Sequence, residues 1–374
     1  MEKLEKKHKL ALAKGILFVI LWYFCIWSAF LFICCPIWIF ILIFPKVFEP
    51  IVAVAFSIWE TYSVALMNII FGSKIHVSGD EINGEETSIL IVNHRTRVDW
   101  NFLWALMYYA SIPRCHKMKI ALKAELRHMP SLGWAMQTAN CLYLTRKWEK
   151  DQDTMRRQLK FFSSAGHKYQ ILLFPEGTDL SEESLQKSNE FAKKNNLNLY
   201  NYVLHPRTTG FVFLVDSMRK EKIKLEAVYD LTLAYPDFLP HTEMDIVKGN
   251  FPKIINFHVT RYSVQDLPQD KENLETWLKE RWREKEQLLE KFEKHKSFPG
   301  PLVTSHMENQ LYLSFMVGTG LIIYMFYLLF TSTVFFWWTI LHICLYVGIS
   351  YFTPGFQILF VSAYEYLYDR KKYQ

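Results

Sequence analysis

Ser88-Ile89-Leu90-Ile91-Val92-Asn93-His94-Arg95-Thr96-Arg97-Val98-Asp99-Trp100 changes character after its fifth residue. Residues 88–92 form the short, β-branched apolar run of a buried strand, and the polar residues after Val92 end it. Val98 to Ala110 is helix-like, so the chain passes from strand through a loop into a helix, with His94 at the passage. In open α/β sheets that rim is where ligands bind. Working outward, Lys74 to Val77, Tyr169 to Phe174, Leu225 to Tyr235 and Ile254 to Tyr262 read as further strands. Helical stretches at Val98 to Ala110, Met118 to Arg127 and Glu149 to Ser164 lie between some of them. This alternation predicts an α/β fold, a mostly parallel sheet with helices on both faces. Glu272 to Lys296 reads as a long charged surface helix whose stripe of Leu274, Trp277, Leu278, Trp282, Leu288 and Leu289 packs on the sheet.

Both ends of the chain differ from this middle. No charged residue occurs from Gly15 to Phe44, and about 20 apolar residues suffice for a helix to cross the hydrocarbon. That run is too long for the apolar part of a signal peptide and no small-residue cleavage site follows it, which favours a retained anchor. Ile51 to Phe71 suits a second span packed on the first, or a helix in the interface or a re-entrant one. Glu60 at mid-bilayer costs roughly 2.5–3.5 kcal/mol unless paired or near water. Leu311 to Phe330 and Phe335 to Phe352 predict a C-terminal hairpin turning near Thr331-Ser332-Thr333. The expected organisation is a membrane hairpin over 1–73, an α/β domain over 74–300, and a second hairpin with a basic tail over 301–374. Lys3, Lys6, Lys7, Lys9 and Lys14 precede the first span, and Arg370, Lys371 and Lys372 follow the last. The positive-inside bias puts both flanks and the middle domain in the cytosol, with an even number of crossings. Lys371-Lys372-Tyr373-Gln374 looks like a dilysine retrieval signal, which points to the endoplasmic-reticulum membrane.

Composition excludes several classes. With 51% hydrophobic and 21% charged residues the chain is neither disordered nor fibrous. Its net charge of +6 comes from Lys and Arg interspersed with Glu, and a nucleic-acid partner is not expected. Cys25, Cys34, Cys35 and Cys344 sit in apolar runs, Cys115 and Cys141 are isolated, and no C-x-x-C spacing occurs. No metal site is predicted, and a reducing compartment suits these thiols.

His94 and Asp99 form a His-x4-Asp pair, which carries little weight alone in a chain with 12 histidines. If Thr96 caps the following helix, Asp99 takes the acidic third position of a capping box, a structural role that leaves room for a partnership with His94. Direct pairing requires His94 to lie before the helix, because positions five apart on a helix point apart. Phe174-Pro175-Glu176-Gly177-Thr178-Asp179 also leaves a strand for a loop and brings Glu176 to the same rim.

Together these two rim motifs resemble the glycerolipid acyltransferase family, which carries N-H-x-x-x-x-D and F-P-E-G-T blocks in this order. Lys123-Ala124-Glu125-Leu126, with Pro130 and Gly133, is similar to the family's K-x-E-L-x-x-x-P-x-x-G stretch. Arg146 matches the basic residue of its second block, though the usual phenylalanine-isoleucine-aspartate lead-in is absent. His205-Pro206-Arg207-Thr208-Thr209-Gly210 stands where the fourth block lies, without its valine-proline-isoleucine pattern. Within the family the likeness is to the branch that acylates lysocardiolipin, lysophosphatidylinositol and lysophosphatidylglycerol, and it covers nearly the whole chain.

The resemblance implies transfer of a fatty acyl group from acyl-CoA, as co-substrate and not as a bound cofactor, to the free hydroxyl of a lysophospholipid at a bilayer. His94 is the expected general base, since a neutral imidazole can take the hydroxyl proton, and Asp99 fixes its tautomer. Glu176, Gly177 and Thr178 are expected to shape the acceptor site, Arg146 or Arg207 to hold its phosphate, and Lys123 or Arg95 to meet coenzyme A phosphates. Two other readings compete: a coenzyme-independent transacylase of tafazzin type, and a non-enzymatic protein whose hairpins wedge the bilayer.

Overall fold

The computed structural model describes residues 2–37, 45–112, 117–145, 147–165, 168–305 and 307–366. The described chain forms two compact units. The first joins Met1–Val19, Leu66–Cys115 and Gln170–Met307; the second joins Ile20–Ala65, His116–Tyr169 and Glu308–Gln374.

The strands, in chain order, are β1 (Lys74–Gly79), β2 (Ile82–Asn83), β3 (Ser88–Val92), β4 (Ser111–Ile112), β5 (Met118–Lys123), β6 (Leu142–Leu144), β7 (Gln170–Leu173), β8 (Ala227–Ala234), β9 (Ile254–Ser263) and β10 (Leu302–Thr304). In the first unit they run β10-β1-β9-β8-β3-β7 across one sheet. β3 pairs parallel with both β7 and β8, and β1 parallel with β9, whereas β8–β9 and β1–β10 are antiparallel. The sheet is thus mostly parallel and mixed, as the strand–helix alternation predicts. Every residue of β3, β7 and β8 is buried, which explains their continuous apolar runs: strands covered on both faces have no solvent side on which to place polar residues. β10, at the margin, is exposed throughout.

Register delivers the two motif loops to one place. Ile91 lies opposite Leu173 in the parallel β3–β7 pair. His94 and Glu176 each lie three residues beyond, so both leave the carboxyl end of their strands at the same level. The helix Asp99–Ala110 follows β3, and helices Glu182–Lys194 and Thr208–Lys220, absent from the sequence-based expectation, fill the stretch between β7 and β8.

The second unit contains the parallel pair β5–β6 and several apolar helices. Met118 to Arg127 is not a helix: β5 occupies Met118–Lys123 and a single 3-10 turn follows over Ala124–His128. Residues of high helix propensity are overridden here because Ala121, Leu122 and Lys123 find backbone partners in Leu142, Tyr143 and Leu144, a contact that local sequence does not encode.

Among the described residues, four helices are long and apolar enough to cross a bilayer: Glu5–Ile37, Pro50–Phe71, Asn309–Thr331 and Thr333–Phe352. The last two break at Ser332, whose hydroxyl accepts the Phe335 N–H at 3.2 Å and so caps the second helix within the expected Thr-Ser-Thr turn. Met316, Phe330 and Phe352 are 72%, 86% and 89% exposed, side chains that water would not tolerate as a continuous face but hydrocarbon would. Inside the second unit, Phe30 packs edge-on against Tyr346, Trp134 adjoins both, and the Tyr62 and Thr319 hydroxyls meet at 3.1 Å. Glu60 is buried. The end of the first apolar run, Cys115, and the basic residues from Arg370 onward lie outside the described residues.

Candidate active site

His94 stands in the loop after β3, ahead of the helix, which is the condition for reaching Asp99. Its Nδ1 lies 3.0 Å from Asp99 Oδ2. A carboxylate can only accept, so Nδ1 carries the hydrogen and the lone pair is on Nε2. Asp99 is fully buried and receives three more hydrogen bonds: the Thr96 N–H at 2.9 Å, the Thr96 hydroxyl at 3.0 Å and the Tyr235 hydroxyl at 2.6 Å. The helix begins at Asp99, later than a Thr96 cap predicts, and only half of the capping box forms: Asp99 accepts the Thr96 N–H, while the Thr96 hydroxyl accepts the Val98 N–H at 3.2 Å. Structural and chemical roles coincide in one carboxylate, whose Oδ2 serves both the Thr96 backbone and the imidazole. Asn93 anchors the loop from behind, its amide bonding both Leu233 backbone groups at 2.8 and 3.0 Å.

The His94 side chain keeps 18% exposure. Burial works against its charged form, but the hydrogen bond and charge of Asp99, with the charges of Glu176 and Asp179, outweigh that and raise its pKa above the ordinary value. A base of raised pKa accepts a proton more readily.

Glu176 is 3% exposed. Its Oε1 accepts the His94 N–H at 3.3 Å and the Trp282 indole N–H at 3.0 Å, while Oε2 is buried without a hydrogen-bond partner. Desolvation raises its pKa to about 7, against the opposing pull of Trp282, His94 and the nearby Leu204 N–H. The loop is also closed through backbone: the Leu180 N–H bonds the His94 carbonyl at 2.8 Å, and the Gly177 N–H bonds that of Phe174 at 3.0 Å. The Phe174 ring packs 4.4 Å from the imidazole. Gly177 has φ +73°, which favours glycine, and the Arg207 side chain lies 3.4 Å from where a Cβ would stand. The Arg207 N–H bonds the Pro175 carbonyl at 2.8 Å, tying the third loop to the second.

A cavity of about 860 Å³ opens beside these loops, a volume common for ligand sites. Glu176 and Thr178 form its near end, and Arg97, Lys187, Arg207 and Lys279 line it, set against Asp179 and Glu183. His94 is not part of its wall; its backbone N–H bonds Glu176, which is.

The structure therefore brings together His94, Asp99, Glu176, Gly177, Thr178 and Arg207. Arg95 is engaged elsewhere: it is buried, donates to the Tyr202 carbonyl at 3.2 Å and lies 3.5 Å from Glu293. Lys123 ends β5 in the second unit and is exposed. Arg146 lies outside the described residues. Tyr235 and Trp282 are additional contacts that the sequence did not single out, since each reaches its carboxylate across more than a hundred residues and nothing local marks it.

The Acyltransferase family model matches residues 74–235, and the Acyltransferase C-terminus model matches residues 245–318. Lysocardiolipin acyltransferase 1 of Gallus gallus is 43% identical over 279 residues, 75% of this chain and 73% of that protein. Its Mus musculus counterpart is 44% identical over 256 residues, covering 68% and 67%. Lysophosphatidylinositol acyltransferase 10 of Caenorhabditis elegans is 41% identical over 239 residues, covering 64% and 61%. With both family models in register with the sheet, its rim loops and the helix behind them, this chain belongs to the glycerolipid acyltransferase family.

Proposed function

We propose that this chain transfers a fatty acyl group from acyl-CoA to the free hydroxyl of a lysophospholipid, with lysocardiolipin, lysophosphatidylinositol and lysophosphatidylglycerol as the acceptors to test. The observation that carries the reading is the His94 Nδ1–Asp99 Oδ2 bond, which leaves Nε2 as a free base on a partly exposed ring at the sheet rim. Nε2 takes the hydroxyl proton as the oxygen attacks the thioester carbonyl, and Asp99 stabilises the imidazolium that forms. Collapse of the tetrahedral intermediate breaks the carbon–sulfur bond, and the imidazolium returns its proton to the departing thiolate. No acyl-enzyme is required.

Glu176, Gly177 and Thr178 shape the acceptor site. Arg207, with Lys187 and Lys279 further along the cavity, supplies the positive charge a phosphate-bearing head needs. The apolar helices and basic flanks support a membrane-bound enzyme whose α/β region faces the cytosol, where coenzyme A is soluble.

The test uses full-length protein in lipid nanodiscs, with each lysolipid as acceptor and either labelled acyl-CoA or intact phospholipid as sole donor. Turnover is expected from acyl-CoA alone, and His94→Ala is expected to lower it by about 10²–10⁴-fold while inserting normally. Turnover from intact phospholipid without acyl-CoA would favour the transacylase; ordinary turnover by His94→Ala would overturn the base.

A further inference from the structure

The helix Lys271–His295 does more than cover the sheet. Leu274, Leu278, Trp282, Lys285, Leu289 and Phe292 form one fully buried face, and three polar contacts leave the helix within little more than one turn. Trp282 donates its indole N–H to Glu176 Oε1 at 3.0 Å. Lys285 Nζ donates to the Leu231 carbonyl at 2.6 Å, which fixes the helix on β8. Glu286 accepts the backbone N–H groups of Asn201, Tyr202 and Val203 at 2.6, 2.9 and 3.2 Å, which fixes the segment leading to Arg207. A buried indole needs a partner for its N–H but does not need a carboxylate. Here that partner is the buried carboxylate of the second rim motif, and its other oxygen, Oε2, is buried, without a hydrogen-bond partner and part of a residue lining the cavity.

We propose that Trp282 is a positioning residue for the transfer reaction, holding Glu176 by Oε1 so that Oε2 is left to the acceptor. This rests on the reading of Glu176 as an acceptor-binding group. The indole sets both the angle of the carboxyl group and its charge, because an N–H donor favours the ionised form. With Trp282 absent, Glu176 keeps the longer His94 N–H bond on Oε1 and the pull of the Leu204 N–H, and its carboxyl group is free to turn. Trp282 lies within the region matched by the Acyltransferase C-terminus model, so that region contributes to the site itself.

The experiment compares kcat, KM for lysolipid and the pH dependence of kcat/KM in nanodiscs for the parent and four proteins. The first carries Trp282→Phe. The second carries β-(3-benzothienyl)alanine at position 282, which keeps the bicyclic shape and lacks the N–H. The third, Trp277→Phe, changes a ring on the same helix that stacks on Phe211 at 5.7 Å and touches no rim motif. Glu176→Gln identifies which ionisation in the profile belongs to Glu176.

The two position-282 proteins are expected to raise KM for lysolipid by about tenfold, the size of a lost hydrogen bond to a charged group, and to move the Glu176 ionisation to higher pH. Trp277→Phe is expected to change neither. Should Trp282→Phe fail to fold, the benzothienyl protein still decides the matter. An unchanged profile and KM in that protein, where Glu176→Gln does alter them, would overturn the role of Trp282 alone. A silent Glu176→Gln would overturn the acceptor reading of Glu176 and this inference with it.

Discussion

Asp99→Asn removes a charge from the centre of the site while keeping its volume, and both ways of placing the new amide have consequences that can be worked out. If the amide oxygen takes the Oδ2 place, it still accepts from His94 Nδ1 and the Thr96 N–H. The NH2 then faces the Thr96 and Tyr235 hydroxyls, which must turn their hydrogens away. If the amide is reversed, the NH2 faces Nδ1, the imidazole must carry its hydrogen on Nε2, and the base is lost. In either case the imidazolium has no carboxylate opposite it. At the effective dielectric of partly buried sites a pair of charges about 4 Å apart interacts by about 4 kcal/mol, which corresponds to about 10³-fold.

We therefore expect kcat/KM to fall by about 10²–10⁴-fold. The parent needs neutral His94, so its activity falls as pH drops through a pKa raised above the ordinary imidazole value near 6.5. In Asp99→Asn the raising contributions of the carboxylate are gone while burial remains, and the acid limb moves to lower pH. Initial rates with acyl-CoA and lysolipid across the pH range, with membrane insertion verified in parallel, give both readings. Activity within threefold of the parent, on an unmoved acid limb, would refute the pairing as the source of the base.

Glu176→Gln is expected to stabilise the protein above pH 7 and to do little near pH 4.5. The folded carboxyl holds its proton to about 7 and the unfolded one only to about 4.5, so stability is lost as pH rises between them, by about 3 kcal/mol in full; thermal unfolding at the two ends of that window measures it. Tyr235→Phe deletes a 2.6 Å donor to Asp99 and should lower kcat/KM by about tenfold, with KM for lysolipid unchanged. Gly177→Ala places a Cβ at φ +73° and 3.4 Å from Arg207, so we expect a loss of about 1 kcal/mol in stability and a raised KM for the acceptor, read by unfolding and steady-state kinetics.

What could be read from the chain follows the range of the interactions involved. β3 and β7 are buried on both faces and end at polar or proline residues, so the strand, the break and the residue after it are all local signals; His94 and Glu176 come with them. The pairing of His94 with Asp99 needed only that the histidine precede the helix. By contrast β5 has Lys119 and Lys123 four apart with apolar residues between them, a spacing that also suits a helix, and its pairing with β6 depends on residues further along. The antiparallel pairing of β9 with β8 follows a connection with one short helix, Glu243–Val247, that gives no direction. Arg95 stands within the first motif and looks free in sequence, yet it is held by Tyr202 and Glu293, far along the chain. Tyr235 and Trp282 are a strand-end tyrosine and one tryptophan in an apolar stripe, indistinguishable by pattern from packing residues until the sheet and the long helix are assembled.

The Oε1 atom of Glu176 is shared: one rim motif presents a backbone N–H to it, the long helix presents an indole, and the Leu180 N–H returns a bond to His94. Substitutions in these three segments should therefore fail to sum, each shifting the groups the others report on. A single replacement scanned along either motif measures the stiffness of the joint as much as the chemistry of the side chain. Transplanting one block into a distant relative without its counterparts should yield a well-folded but slack enzyme.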